Sequence, residues 1–169
     1  RFCKNFLRLQ PSAQARLTVE NDDKANMYSV KDLYEGVYKV VGIPIVFDYY
    51  HHKFCTGDMT EEEALKLAVS TWPKGVKPCT HYSESRRKEQ KLIIESICKK
   101  NNITMEQMHD FPTLAAYYKE FSKIKEQAHS DYITEEINDY GLDIDVVVEA
   151  KAKELAVKKY YEKTLTEVL

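Results

Sequence analysis

The chain has 169 residues, 43% of them hydrophobic and 31% charged, with a formal net charge of −2 and a sequence pI near 6.3. That is enough chain for one domain with a real core, and the composition excludes a disordered segment or a simple DNA-coating protein. No apolar run is long enough for a membrane span, and four scattered cysteines (Cys3, Cys55, Cys79, Cys98) without a C-x-x-C pair point to reduced thiols in an intracellular compartment, cytoplasm or nucleus.

The first residue is arginine with no basic-then-apolar leader behind it, and we expect the true beginning to be missing. Residues 1–10 carry Phe2, Phe6 and Leu9 at helical spacing and read as the tail of a helix. Leu17 to Glu20 is the first predicted strand. Ser29 caps a helix to about Val41, whose apolar face is Val30, Leu33, Val37 and Val40, and Gly42 closes it. Residues 43–48 form the second strand. Thr60 with Glu63 is a capping box that opens a helix to about Ser70, ended by Trp72-Pro73. A third, weaker strand spans residues 76–81 across Pro78.

From Ser85 the pattern is helical to Lys100, broken by Asn101-Asn102, and a further helix runs from about Thr113 to Glu126. Residues 88–126 are longer than a bare barrel connection and read as a helical insertion. Thr134 to Tyr140 reads as one or two helical turns, residues 144–149 as the fourth strand, and residues 150–165 as a closing helix. The alternation predicts an α/β fold of four parallel strands with right-handed crossovers. Four strands are too few for a closed eight-stranded barrel, so the reading is a half barrel or a small open sheet.

Three strands end in acids: Val19 leads to Glu20, Phe47 to Asp48 and Val148 to Glu149, with His51 and His52 just beyond the second. A buried parallel strand with a ligand at its C-terminal tip is where barrel chemistry is done, and repetition of the pattern suggests one shared metal site. Asp48 and His51, three residues apart, could converge on one ion. Asn21-Asp22-Asp23 also fits an ordinary turn, and Glu149 also fits the favourable acid at a helix start. Ser83, Arg86 and Arg87 could hold a phosphate at a helix start, and Tyr50 could stack on a base; capping and packing are equally good readings of them.

Read together, Leu17-Thr18-Val19-Glu20-Asn21-Asp22-Asp23, Ile43-Pro44-Ile45-Val46-Phe47-Asp48-Tyr49-Tyr50-His51-His52, His81-Tyr82-Ser83-Glu84, His129-Ser130-Asp131-Tyr132-Ile133 and Asp145-Val146-Val147-Val148-Glu149-Ala150-Lys151 resemble the UV-damage endonuclease family. The resemblance covers most of the chain apart from residues 88–126. It implies the C-terminal half of an endonuclease IV-like (β/α)8 TIM barrel, here a single domain over residues 1–169. The implied reaction is cleavage of damaged double-stranded DNA immediately 5′ to a photoproduct, leaving a 3′-hydroxyl. The implied cofactor is a divalent metal cluster, manganese by preference, with zinc and magnesium as alternatives. Its ligands would be Glu20, Asp48, His51, His81, His129 and Glu149, with Glu20 and Glu149 as catalytic carboxylates and His52 the substitute if the His pair is shifted by one. The family's carboxylated lysine would fall at Cys79, which cannot form a carbamate. A missing first half, or self-association, would supply the remaining ligands. The rival readings are a metal-dependent sugar isomerase or epimerase on the same kind of barrel, and an inactive half-barrel remnant.

Overall fold

The computed structural model describes the backbone of residues 1–168 and the side chains of residues 1–163. The described residues fall into two compact units, Arg1–Tyr82 with Glu135–Val148, and Ser83–Thr134 with the chain from Glu149 onward.

The first unit holds four strands, β1 (Val19–Glu20), β2 (Ile45–Asp48), β3 (Cys79–Tyr82) and β4 (Asp145–Val148), paired in parallel in the order β1-β2-β3-β4. Sequential parallel order without a reversal is the order of a barrel wall; a doubly wound sheet would reverse at a switch point. The sheet is an α/β arrangement as expected. Strand β2 is buried along its whole length, and Thr71 and Trp72 complete the hydrogen bonding at its start: the Ile45 N–H donates to Thr71 Oγ1 at 2.8 Å, and Trp72 Nε1 donates to the Ile45 carbonyl at 2.8 Å.

Helices α1 (Phe2–Phe6), α2 (Pro11–Gln14) and α3 (Val30–Leu33) precede a π-helical turn over Tyr34–Tyr38, which runs into α4 (Lys39–Val41) and ends at Gly42 with φ 73°. Ser29 and Asp32 form a reciprocal capping box at α3. The extra residue of a π turn slips the i, i+3, i+4 register. Val30 and Leu33 are buried as expected, whereas Val40 lies exposed instead of continuing the apolar face. After the single turn α5 (Tyr49–His52), the predicted Thr60/Glu63 capping box opens α6 (Glu61–Val69), which packs against β2 and buries Ala64, Leu65 and Ala68. Full burial of a leucine such as Leu65 contributes about 2 kcal/mol.

Two expectations for the first unit are corrected. The fourth strand is not buried: β4 is the sheet edge and alternates exposed and half-buried residues, with Val147 46% exposed. Residues 135–140 form no helical turn. Asn138 Oδ1 accepts the Tyr140 N–H and Asp139 Oδ1 the Gly141 N–H, and such local side-chain bonds compete with a helix.

In the second unit Ser85 caps α7 (Arg86–Asn101), which Asn102 closes at φ 52°. A 3₁₀ turn over Glu106–Asp110 leads to α8 (Pro112–Ser122). These elements enclose a small core of Ile94, Cys98, Met108 and Phe121. The closing helix, α9 (Glu154–Val168), starts four residues later than residue 150, where the sequence pattern begins. The Lys151 and Ala152 N–H groups donate to Ser130 O and Asp131 O, and Lys153 takes φ 51°, so these residues form a turn first.

Candidate metal centre

The register of the sheet puts three of the predicted residues on one face at one end. Asp48 lies directly opposite His81, and Glu20 lies opposite Val46, which shares the Asp48 face by the two-residue period of a strand. One ligand atom each from Glu20, Asp48 and His81 falls within 4.8 Å of the others. Glu20 sits between two imidazoles, with Oε1 3.2 Å from His51 Nδ1 and Oε2 3.2 Å from His81 Nδ1. Two carboxylates and an imidazole at the tips of neighbouring strands form a donor set suited to a divalent cation.

Asp48 is fully buried, and its two oxygens are used differently. Oδ1 accepts the His51 N–H at 2.7 Å, capping the start of α5, while Oδ2 has no hydrogen-bond partner among the described residues. A buried carboxylate oxygen without a donor is costly unless a cation occupies its open side, so this atom fits a metal ligand. Burial pushes the Asp48 carboxyl up to about 6 against the opposing effect of the His51 N–H. Burial also pushes Glu20 upward, but hydrogen bonds from His51 and His81, with their charges, outweigh it and hold Glu20 at about 2. Burial pulls His51 downward, and it is overcome by the Glu20 hydrogen bond, the Asp48 charge and the Asn21 carbonyl, which raise His51 to about 9.

Of the adjacent histidines, His51 faces Glu20. His52 is buried with its ring centroid 5.4 Å from that of Phe47, and burial lowers its basicity. A residue whose contacts the sequence did not foretell is Asn21. It is 1% exposed, its Nδ2 donates to Asp48 O at 3.0 Å, and its Oδ1 accepts the Asp48 N–H at 2.9 Å. Its position after a strand-tip acid was legible; its partner 27 residues away was not. Cys79, two residues before His81, is half-buried on the same strand face, and burial raises its thiol. Lys77 is engaged elsewhere, 2.8 Å from Asp143 Oδ1 and 3.2 Å from Asp145 Oδ1.

The second unit brings His129 and Glu149 together, Nδ1 to Oε2 at 3.6 Å. The segment carrying His129 is tied to α7: Ser85 and His129 form an antiparallel bridge, Ser130 N–H donates to Glu84 O at 2.8 Å, and the Glu89 carboxylate accepts the Asp131 and Tyr132 N–H groups. The predicted DNA contacts are placed variously. Ser83 and Tyr50 are buried, 1% and 4% exposed. Arg86 reaches Asp131 at 3.5 Å with its side chain 30% exposed. Arg87 donates to Glu126 Oε1 and to the Ile124 carbonyl and lies over the Phe121 ring, which ties α7 to the chain beyond α8.

The family model described as UV-endonuclease UvdE matches residues 1–168. A UV-damage endonuclease of Schizosaccharomyces pombe is 31% identical over 163 residues, covering 93% of this chain and 22% of that protein. A UV DNA damage endonuclease of Bacillus velezensis is 27% identical over 172 residues, covering 96% of this chain and 42% of its own length. The crystal structure of SacUVDE superposes with a TM-score of 0.65 at 26% identity, over 99% of this chain and 45% of that one. The chain thus spans less than half the length of each of these. The likeness bears out the barrel-type α/β fold expected from the sequence.

Proposed function

The chain belongs to the UV-endonuclease UvdE family, and from that premise we propose that it is the metal-holding part of a DNA-repair endonuclease that cuts the backbone of duplex DNA 5′ to UV photoproducts. The observation that carries the reading is the convergence of Glu20, Asp48 and His81 at one end of a parallel sheet, with a buried Asp48 oxygen left without a donor. Carboxylates mixed with imidazoles suit manganese, with zinc the next choice and magnesium the least suited. A divalent cation held there supplies charge neutralisation at a phosphate and a lowered pKa for water.

The protein's own residues have separable tasks in this reading. Glu20 stays ionised and offers one oxygen toward each of His51 and His81. Asp48 orients His51 through its backbone N–H and keeps its second oxygen for the cation. His129 and Glu149 form a donor pair of their own in the second unit, for which the family resemblance implies ligand roles and, for Glu149, a catalytic one. The DNA-facing task falls to Arg86, whose side chain is 30% exposed and held only loosely, 3.5 Å from Asp131. Residues 88–126 are an elaboration with a core of its own within a single domain. The rest of a barrel, or a second copy, completes the enzyme. No helix of the described residues is long and apolar enough to cross a membrane, and a DNA-repair task places the protein inside the cell.

The test is an end-labelled duplex carrying one pyrimidine dimer, incubated with the chain and Mn²⁺ beside an undamaged duplex. The expected product is a nick immediately 5′ to the dimer, lost in Glu20→Gln. Equal nicking of both duplexes, or a cut elsewhere, would contradict the reading.

A further inference from the structure

We infer that Asn21 is the positioning residue of the candidate metal centre, acting through Asp48 and His51 rather than on a ligand itself. The inference rests on the functional reading above for what the centre binds. It stands on three hydrogen bonds that converge on one buried residue. The Asn21 side chain accepts from the Asp48 N–H at 2.9 Å and donates to the Asp48 carbonyl at 3.0 Å, so both peptide groups of Asp48 are held by one amide. The Asn21 main-chain carbonyl meets His51 Nδ1 at 2.9 Å. Asn21 follows Glu20 directly, so the same residue links the end of β1, the end of β2 and the imidazole just beyond it.

The chemistry of these partners fixes the state of the His51 ring. A carbonyl oxygen only accepts, and the second atom near Nδ1, Glu20 Oε1 at 3.2 Å, also only accepts. Nδ1 therefore donates to these oxygens, so coordination of a cation by this ring would use Nε2. A partner that commits one ring nitrogen and thereby presents the other is the usual outer support of a histidine ligand. The amide is also hard to replace. Aspartate could accept from the Asp48 N–H but not donate to its carbonyl, and leucine, of similar volume, could do neither. Asn21 is 1% exposed, so no water takes over these bonds without the strand tips parting.

Two measurements on the 169-residue chain test this. In the metal-free, ¹⁵N-histidine-labelled chain, the His51 Nδ1 proton is expected to be resolved and protected from solvent exchange, assigned by its loss in His51→Ala. A ring protonated only at Nε2 would overturn the inference whether or not any metal binds. Second, Mn²⁺ affinity is measured by calorimetry for Asn21→Leu, His51→Ala and the double variant, with circular dichroism as the check on folding. Asn21→Leu should weaken Mn²⁺ about 10- to 100-fold, and by clearly less when His51 is already alanine. Equal losses in both backgrounds would mean that the Asn21 side chain does not act through His51 and would overturn the inference as stated. Should Asn21→Leu fail to fold, Asn21→Ser takes its place in the cycle. Failure of the unmodified chain to take up Mn²⁺ would sink the functional reading, leaving the Nδ1 proton to judge Asn21 separately.

Discussion

Replacing Asp48 by asparagine should make the metal-free protein no less stable while removing its stabilisation by metal. Burial carries the Asp48 carboxyl from 3.8 to about 6, a displacement equivalent to about 3 kcal/mol. The folded value lies above the unfolded one, so the ionised carboxylate opposes folding. That cost is absent below about pH 4, grows as pH rises toward 6 and is complete above it. Asparagine removes the charge and keeps an oxygen for the His51 N–H, but it leaves a buried NH₂ where Oδ2 had no partner. An unsatisfied buried amide costs about 1–3 kcal/mol. The two effects nearly offset, and we expect a net change between about 0 and 2 kcal/mol in favour of the variant at neutral pH. Manganese at about a hundred times its dissociation constant should add about 2.7 kcal/mol to the unmodified chain and little to Asp48→Asn. Urea denaturation at pH 7, with EDTA and then with Mn²⁺, reads both quantities. Loss of several kcal/mol in the metal-free variant, or equal stabilisation of both proteins by Mn²⁺, would refute the reasoning.

Other consequences follow from local structure. Ser29→Ala removes a capping box and should cost about 1 kcal/mol in urea unfolding. The Ser29 hydroxyl and N–H hold the Asp32 carboxyl below its ordinary value, so its contribution is present at neutral pH and lost as pH falls through that lowered value; Asp32→Asn should flatten this part of the acid limb of a pH-stability curve. Gly57→Ala should destabilise by more than about 1 kcal/mol, because φ is +59° there and the added methyl meets the Ser29 side chain, a loss readable as a lower Tm. Met108→Ala in the fully buried insertion core should cost about 2–5 kcal/mol, seen as faster hydrogen exchange along α7 and α8.

What was legible in the sequence was whatever depends on near neighbours. The Thr60/Glu63 and Ser29 caps, the Gly42 stop and the Asn102 break are each set by residues within one helical turn, and all appear where the pattern puts them. The strand-tip acids Glu20 and Asp48 were legible because an apolar run ending in a carboxylate is a local pattern, and strand register then brings them beside His81. What failed were features set at a distance. Val40 was predicted from a 3.6-residue period that the π turn breaks. Val147 reads as core from its β-branched neighbours, but burial of an edge strand depends on what covers it. The choice of His51 over His52 came from the family resemblance rather than from spacing, and the clamp of Asn21 on Asp48, which the sequence did not foretell, depends on pairing β1 with β2.

The central claim is that Glu20, Asp48 and His81 hold a divalent cation. Calorimetric titration of Mn²⁺ into the metal-free chain tests it most directly, beside Glu20→Gln, His81→Ala and the surface control Glu95→Gln. Saturable binding that survives in Glu95→Gln and disappears in the other two is the predicted result. Binding unchanged in Glu20→Gln and His81→Ala, or no binding by the unmodified chain, would contradict the account.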